Sequence, residues 1–317
     1  MLLALTAGCA VDTGSDKGGA DDAPTSDAVE GYPSLEEQAT EVLAARGTAV
    51  AVADATAAAS TDVSRNGPYG STVLRNQGPS GRFTLYVPRT LGAQGMKHPI
   101  VAWMSGGGTS HELYPLLPRL ATHGFVVVAP NVIPGIGSEI DLGKQLLAGI
   151  DWTIAEGARS GSQLSGKLDT TKVASMGYSM GSLATFTIAA DPRLTTTFHI
   201  SGGNFEPARI ANLRQPAAFV CGKPGGATCN ILSGDCDIAA ANCDVDFKNA
   251  TTPVYYANFQ GGHLGFLLPP TEGRIGTLAT AWMRWKLMGD SSMASMFTGP
   301  DCTTCRDPNW KVQRKGL

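Results

Sequence analysis

The chain has 317 residues, of which 43% are hydrophobic, so it is long enough for one large domain or two small ones with a sizeable core. Its formal net charge of -3 at pH 7 provides no basic surface for nucleic acid or anionic lipid, and no nucleic-acid partner is expected. Charged residues are only 16% of the chain and glycines number 39, so the surface should be rich in small polar residues rather than in ion pairs.

The N-terminal segment predicts export rather than a folded element. Residues 1–9 form a short apolar run that ends in small residues and Cys9, which resembles the end of a bacterial lipoprotein signal peptide. Cys9 would then be lipidated and anchor the protein to a membrane, and a plain secretion signal is the alternative. Residues 10–61 predict a flexible, partly helical tether, and residues 62–317 the main folded domain. We therefore expect a secreted or outer-surface bacterial protein.

The cysteines agree with an exported protein. Cys9 aside, six of the seven cysteines remain, which predicts up to three disulfides without fixing their pairing. Cys302 and Cys305 have the spacing of half a zinc site, but no second Cys or His pair matches it, which favours a disulfide. No metal site is expected.

Apolar runs typical of buried strands alternate with helical patterns from residue 82 onward. The runs predict strands over 82–88, 100–104, 125–130, 172–176, 197–200, 217–220 and 254–259. Helical patterns cover 114–123, 141–157, 183–190 and 277–288. This alternation predicts an α/β fold with a doubly wound, mainly parallel sheet flanked by helices.

A candidate nucleophile lies between one of these strands and the helix after it. Residues 177–181, Gly-Tyr-Ser-Met-Gly, fit Gly-x-Ser-x-Gly, the nucleophile elbow of α/β-hydrolases. A serine at such a strand–turn–helix junction has an exposed hydroxyl, and the glycines allow close backbone approach. Ser179 is therefore the predicted nucleophile, and a serine in an ordinary glycine turn is the alternative.

A serine nucleophile needs a base, and α/β-hydrolases carry Ser, acid and His in that chain order. Of the five histidines, only His263 lies late in the chain, in a glycine-containing loop after a strand. We expect His263 to be the base. The others lie before the elbow, at a helix end or inside a strand: His98, His111, His123 and His199.

The acid is less well determined by the sequence. Asp237 is favoured because Ile238 and Ala239 could anchor its loop in the core while the carboxylate stays at the sheet edge. Asp235 is the second choice, and Asp244, Asp246 and Glu206 stay open. The acid would hold the imidazole tautomer and stabilise the imidazolium.

An oxyanion hole needs two backbone N–H groups. One is expected from Met180, directly after the nucleophile, and the other from the glycine-rich turn at 105–108. Gly107 is the preferred donor and Gly106 the second choice, while a flexible glycine turn without this role is the alternative.

With these pieces in place, the chain resembles the α/β-hydrolase group of bacterial cutinase-like and PET-degrading polyester hydrolases, with their dienelactone-hydrolase and chlorophyllase-like relatives. The similar segments are 98–101, 120–127, 177–181, 261–263 and 281–283. The resemblance implies an α/β-hydrolase fold without a large lid, an open cleft for esters, and no metal or organic cofactor. The chain departs from the polyester hydrolases after strand 217–220, where an insertion with Cys229 and Cys236 precedes Asp237.

The prediction is a secreted, monomeric serine esterase of the cutinase and polyester-hydrolase type, acting through an acyl-serine intermediate. Tyr178, Gly106 and Phe205 are candidates for substrate binding, with core packing the alternative for the two aromatic residues. One rival is a small-ester or lipid esterase without polyester activity. The other is a non-catalytic surface binding protein with the same fold.

Overall fold

The computed structural model describes residues 62–135 and 137–317. The segments predicted at 1–9 and 10–61, with the lipidation candidate Cys9, lie outside the described residues. Within the described part, no helix combines the length and apolar character needed to cross a membrane.

The described residues contain one nine-stranded sheet with the strand order β1-β2-β4-β3-β5-β6-β7-β8-β9. Strands β3 to β8 pair in parallel, whereas β1, β2 and β9 join the sheet by antiparallel pairing. The strands are β1 Ser71–Gln77, β2 Phe83–Pro88, β3 His98–Met104, β4 Val126–Pro130, β5 Leu168–Tyr178, β6 Leu194–Ile200, β7 Ala217–Cys221, β8 Val254–Phe259 and β9 Trp310–Lys315.

Helices cover both faces of this sheet. They are α1 Leu116–Thr122, α2 Glu139–Ala158, α3 Met180–Thr187, α4 Ala240–Asn249, α5 Thr271–Met288 and the short α6 Thr303–Arg306. Successive side chains of a strand point to opposite faces. In β3, Val101 and Trp103 accordingly share a core with α1 and α5, whereas Ile100 and Met104 share one with α2 and α3. Burial on both faces explains why the central strands are continuous apolar runs.

The predicted α/β fold with its mainly parallel sheet is confirmed, with some elements missed. The sequence pattern predicts neither β1, β9 nor α4, and it places the start of the last long helix at residue 277 rather than at Thr271. Strands β1 and β9 each pair on one side only and carry exposed polar residues, so neither has the apolar run of a central strand.

The topology brings several functional candidates to one edge of the sheet. The carboxyl ends of parallel strands lie at the same edge, which is where open α/β sheets hold their ligands. The glycine-rich turn follows β3, Ser179 follows β5, Asp237 follows β7 and His263 follows β8.

Candidate active site

Ser179 occupies a sharp turn between β5 and α3. Its backbone has φ 52° and ψ -117°, a region that residues other than glycine rarely adopt. A Cβ on Gly177 would overlap the carbonyl of Gly181, and a Cβ on Gly181 would overlap the carbonyl of Met104. Both glycines are therefore required by close packing, and the turn has the geometry of a nucleophile elbow.

A continuous hydrogen-bond chain links the serine to a histidine and a carboxylate. The Ser179 Oγ lies 2.9 Å from His263 Nε2, and His263 Nδ1 lies 2.8 Å from Asp237 Oδ1. Because an ionised carboxylate can only accept, Nδ1 carries the proton and Nε2 is left to accept from the serine hydroxyl. This arrangement lets His263 withdraw the hydroxyl proton as Ser179 attacks.

The Asp237 carboxylate is buried and fully bonded. The residue is 1% exposed, and besides His263 it accepts hydrogen bonds from Gly222 N–H at 2.7 Å and Ala239 N–H at 2.9 Å. Burial raises the pKa of Asp237, but the hydrogen bond and charge of His263 and the two backbone donors outweigh it, so the pKa is lowered overall. The carboxylate is thus ionised at neutral pH.

The reason that the sequence suggests for Asp237 holds for one of the two residues involved. Ala239 is buried in the core, as expected, whereas Ile238 is 52% exposed. The backbone also holds Asp237, because its N–H donates to Lys223 O at 2.7 Å and its side chain accepts from Gly222 N–H.

The other acid candidates lie elsewhere. Asp235 is exposed, and Glu206 pairs with Arg209 on the surface. Asp244 pairs with Lys248 along α4. Asp246 is buried against Asn204 rather than beside the histidine.

Three disulfides connect the six cysteines, as their even number predicted. Cys221 is bonded to Cys243, and Cys229 to Cys236. The remaining disulfide joins Cys302 and Cys305, so these two cysteines cannot form half of a zinc site in the oxidised protein. The first two disulfides flank Asp237, which directly follows Cys236 and precedes α4 with Cys243.

Among the three glycines of the turn after β3, two have an N–H that is already hydrogen-bonded and one does not. Gly106 N–H donates to Tyr114 Oη at 3.0 Å, and Gly108 N–H donates to Pro134 O at 2.9 Å. In the described residues, the N–H groups of Gly107 and of Met180, the first residue of α3, have no hydrogen-bond acceptor. Gly106, the second choice for the oxyanion donor, therefore already donates its N–H to Tyr114.

Two of the three positions in this turn require glycine, for different reasons, and the third does not. A Cβ on Gly106 would lie 2.6 Å from the Tyr178 ring, and Gly108 has φ +70°. A Cβ on Gly107 would meet only Pro134 O, at 3.9 Å. Thr109 and Tyr114, which bind Gly106, are not among the residues predicted from the sequence, where two hydroxyl-bearing residues shortly after a glycine run are the only signal for them.

The two aromatic candidates differ in exposure. Tyr178 is 2% exposed, packs against Tyr114 and Phe266, and donates to the backbone carbonyl of His263 at 2.9 Å, which favours the core-packing alternative. Phe205, in the segment after β6, is 72% exposed and is free to contact a ligand.

The remaining histidines have structural partners. His98 binds Gly124 O, His111 binds Tyr86 Oη, and His123 binds Arg65 O. His199 is stacked on Phe186, and burial lowers its pKa to about 3. In the part of the chain that the structure covers, no group of three or more His, Cys, Asp or Glu residues is arranged to hold a metal.

A family model described as PETase, PET hydrolase-like, matches residues 44–225, more than half of the chain. The chain belongs to the PET hydrolase-like family. This finding confirms the resemblance and, with the sheet, the α/β-hydrolase fold, and it makes the protein a hydrolase. The matched range includes Gly107 and Ser179 but ends before Asp237 and His263. A search of curated proteins found no match.

Proposed function

We propose that the protein is a serine carboxylic-ester hydrolase. The observation that carries the proposal is the hydrogen-bond chain from Asp237 through His263 to Ser179, with distances of 2.8 and 2.9 Å. Ser179 Oγ attacks the ester carbonyl carbon while His263 Nε2 takes its proton, and the amides of Met180 and Gly107 stabilise the oxyanion. His263 then protonates the departing alkoxide as the carbon–oxygen bond breaks, which leaves an acyl-Ser179 and a free alcohol.

The second half-reaction uses the same groups. His263 takes a proton from a water molecule, whose oxygen attacks the acyl carbon and forms a second oxyanion. The proton returns to Ser179 Oγ as the acyl bond breaks, so the net reaction converts an ester and water into an acid and an alcohol. Asp237 stabilises the imidazolium in both halves.

Extended hydrophobic esters are the substrates we propose. Several large apolar side chains are exposed on segments that follow the carboxyl ends of β4, β6, β7 and β8, namely Ile133, Ile140, Phe205, Ile231, Leu232, Ile238 and Leu268. These segments leave the sheet at the same edge as Ser179, and exposed apolar side chains on them are suited to contact a hydrophobic substrate. Together with the family, this distribution supports polyester hydrolysis over the small-ester alternative.

The same proposal includes secretion. Three disulfides in the described residues are compatible with an oxidising, extracellular location. Lipidation at Cys9 and a monomeric state are further parts of the proposal.

The test compares the full chain with Ser179→Ala in hydrolysis of a soluble p-nitrophenyl ester and in covalent labelling by a fluorophosphonate. We expect turnover and labelling by the wild type and neither by Ser179→Ala. Unchanged turnover in Ser179→Ala would refute the serine mechanism, and no turnover by the wild type would favour the binding-protein alternative. Product release from polyester films by the wild type, reduced in Phe205→Ala while soluble-ester turnover is kept, distinguishes a polyester hydrolase from a small-ester hydrolase.

A further inference from the structure

The turn that holds the proposed oxyanion amide has no side chains that would restrict its backbone conformation. Residues 106–108 are all glycine, and a glycine peptide unit can rotate without the clashes that restrict other residues. Rotation of the Gly106–Gly107 peptide would turn the Gly107 N–H away from the site. Something other than side-chain bulk must therefore fix this peptide.

Two hydroxyl groups close a ring of hydrogen bonds around Gly106. Its N–H donates to Tyr114 Oη at 3.0 Å, and its carbonyl accepts from Thr109 Oγ1 at 2.7 Å. The two hydroxyl oxygens lie 2.5 Å apart. Because the Thr109 proton is directed to the carbonyl, Tyr114 donates to Thr109, and every donor in the ring has an acceptor.

The geometry of the peptide bond extends this constraint to Gly107. In a trans peptide the N–H points opposite to the carbonyl that precedes it. The Gly106 carbonyl is held twice, by Thr109 Oγ1 and by Thr109 N–H at 3.2 Å. Fixing this carbonyl fixes the direction of the Gly107 N–H, and the bond from Gly108 N–H to Pro134 O holds the other end of the turn.

Tyr114 is itself rigidly held. It is 2% exposed, and its ring centroid lies 4.7 Å from that of Trp103 and 5.7 Å from that of Phe266. Burial raises the pKa of Tyr114 to about 12, so the hydroxyl keeps its proton at neutral and mildly alkaline pH.

We propose that Thr109 and Tyr114 are positioning residues that hold the Gly106–Gly107 peptide with the Gly107 N–H directed to the acyl oxyanion. Neither side chain has to touch the substrate. The inference rests on the proposed function, since it concerns the oxyanion site of the same reaction.

The experiment uses the full chain and measures kcat and KM for a soluble p-nitrophenyl ester, together with the affinity for a boronic acid that forms a tetrahedral adduct with the serine. The variants are Thr109→Val, Thr109→Ser and Tyr114→Phe. Tyr255→Phe is the matched control, because Tyr255 is also buried and its hydroxyl donates to a threonine, Thr304, at 2.8 Å.

We expect Thr109→Val to lower kcat about 10- to 100-fold with little change in KM, somewhat less than the loss of a whole oxyanion donor. The boronic-acid affinity should fall by a similar factor. Tyr114→Phe should show the same pattern more weakly, Thr109→Ser should restore most of the kcat, and Tyr255→Phe should keep the wild-type kcat.

Wild-type kcat in Thr109→Val, or a loss in Thr109→Ser as large as in Thr109→Val, would overturn the positioning role. A loss of kcat in Tyr255→Phe equal to that in Tyr114→Phe would also overturn it, since only a general effect on stability would then remain. Failure of the proposed function is seen separately, as turnover that persists in Ser179→Ala.

Discussion

The segment that carries Ser179 and the segment that carries Asp237 each follow a buried parallel strand, but they are held in different ways. Ser179 is placed by close packing of backbone at Gly177 and Gly181, which lie two residues before and two residues after it. Asp237 lies in a segment that the disulfides Cys221–Cys243 and Cys229–Cys236 crosslink, and its own backbone and carboxylate are hydrogen-bonded. A steric fit depends on a few adjacent residues, whereas crosslinks restrict a long irregular loop through residues far apart in the chain.

The largest effect should come from the acid itself. Asp237→Asn keeps the shape of the side chain but can no longer hold the imidazole in the required tautomer, so kcat should fall about 10³- to 10⁴-fold. Asp235→Asn is the control, because Asp235 is exposed and should leave kcat unchanged. Ester-hydrolysis kinetics measure kcat of both variants, and equal losses of kcat would contradict the assignment of Asp237 as the acid.

Adding a methyl group should distinguish the two segments next. Gly181→Ala places a Cβ against the carbonyl of Met104, so the free energy of unfolding should fall by on the order of 3 kcal/mol. In the acid segment, a Cβ on Gly226 meets nothing within 4 Å, and Gly226→Ala should be close to neutral. Chemical denaturation of both variants is the measurement. Equal stabilities would mean that the elbow is not held by steric fit.

Removal of a crosslink tests the acid segment directly. The double variant Cys229→Ser/Cys236→Ser should lose about 2 kcal/mol of unfolding free energy. It should also lose kcat, because the same loop accepts the Gly262 N–H at Gly234 O, next to His263. Cys302→Ser/Cys305→Ser is the control, since that disulfide lies beside β9 and should leave kcat unchanged. If both double variants keep kcat, the crosslink does not position the acid.

An effect that leaves the reaction untouched concerns a second buried carboxyl group, near the acid segment. Burial raises the pKa of Asp246 from 3.8 to about 6, although Asn204 donates to it. The folded state therefore binds this proton more tightly, and its contribution to stability is present below pH 3.8 and lost as the pH rises through 6. Urea unfolding from about pH 4 to about pH 8 should show this decline in the wild type and not in Asp246→Asn. The same decline in both would assign it to another group.

The sequence predicted the elements that are decided by burial. Central strands such as β4 and β7 are buried on both faces and appear as uninterrupted apolar runs. Strand β9, Trp-Lys-Val-Gln-Arg-Lys, pairs on one side only and carries exposed charges, so no apolar run marks it. Helix α4 was missed because its apolar face is small and is completed by a disulfide at Cys243.

The residues of the candidate site also divide into those that the sequence could predict and those that it could not. Ser179 and His263 could be predicted because a local motif and the chain order single them out. The reason for favouring Asp237 is half right, because Ala239 is buried but Ile238 is exposed. The hydrogen bond from Asp237 to the Lys223 carbonyl and the nearby Cys229–Cys236 crosslink are not encoded by any local pattern. For Thr109 and Tyr114 the sequence offers only hydroxyls after a glycine run, which is too weak a signal, because their bonds to Gly106 depend on the folded path of the turn.

Gly107 differs from the glycines on either side because nothing in the backbone requires it. Gly106 cannot accept a side chain beside Tyr178 and Gly108 has a positive φ, but a Cβ at 107 would meet only Pro134 O, at 3.9 Å. The space beside the proposed oxyanion amide can therefore be changed by a substitution at this one position with little steric cost to the fold. Substitutions there are a route by which substrate range can be changed, by natural drift or by design, while the hydrogen-bonding amide of the same residue is kept.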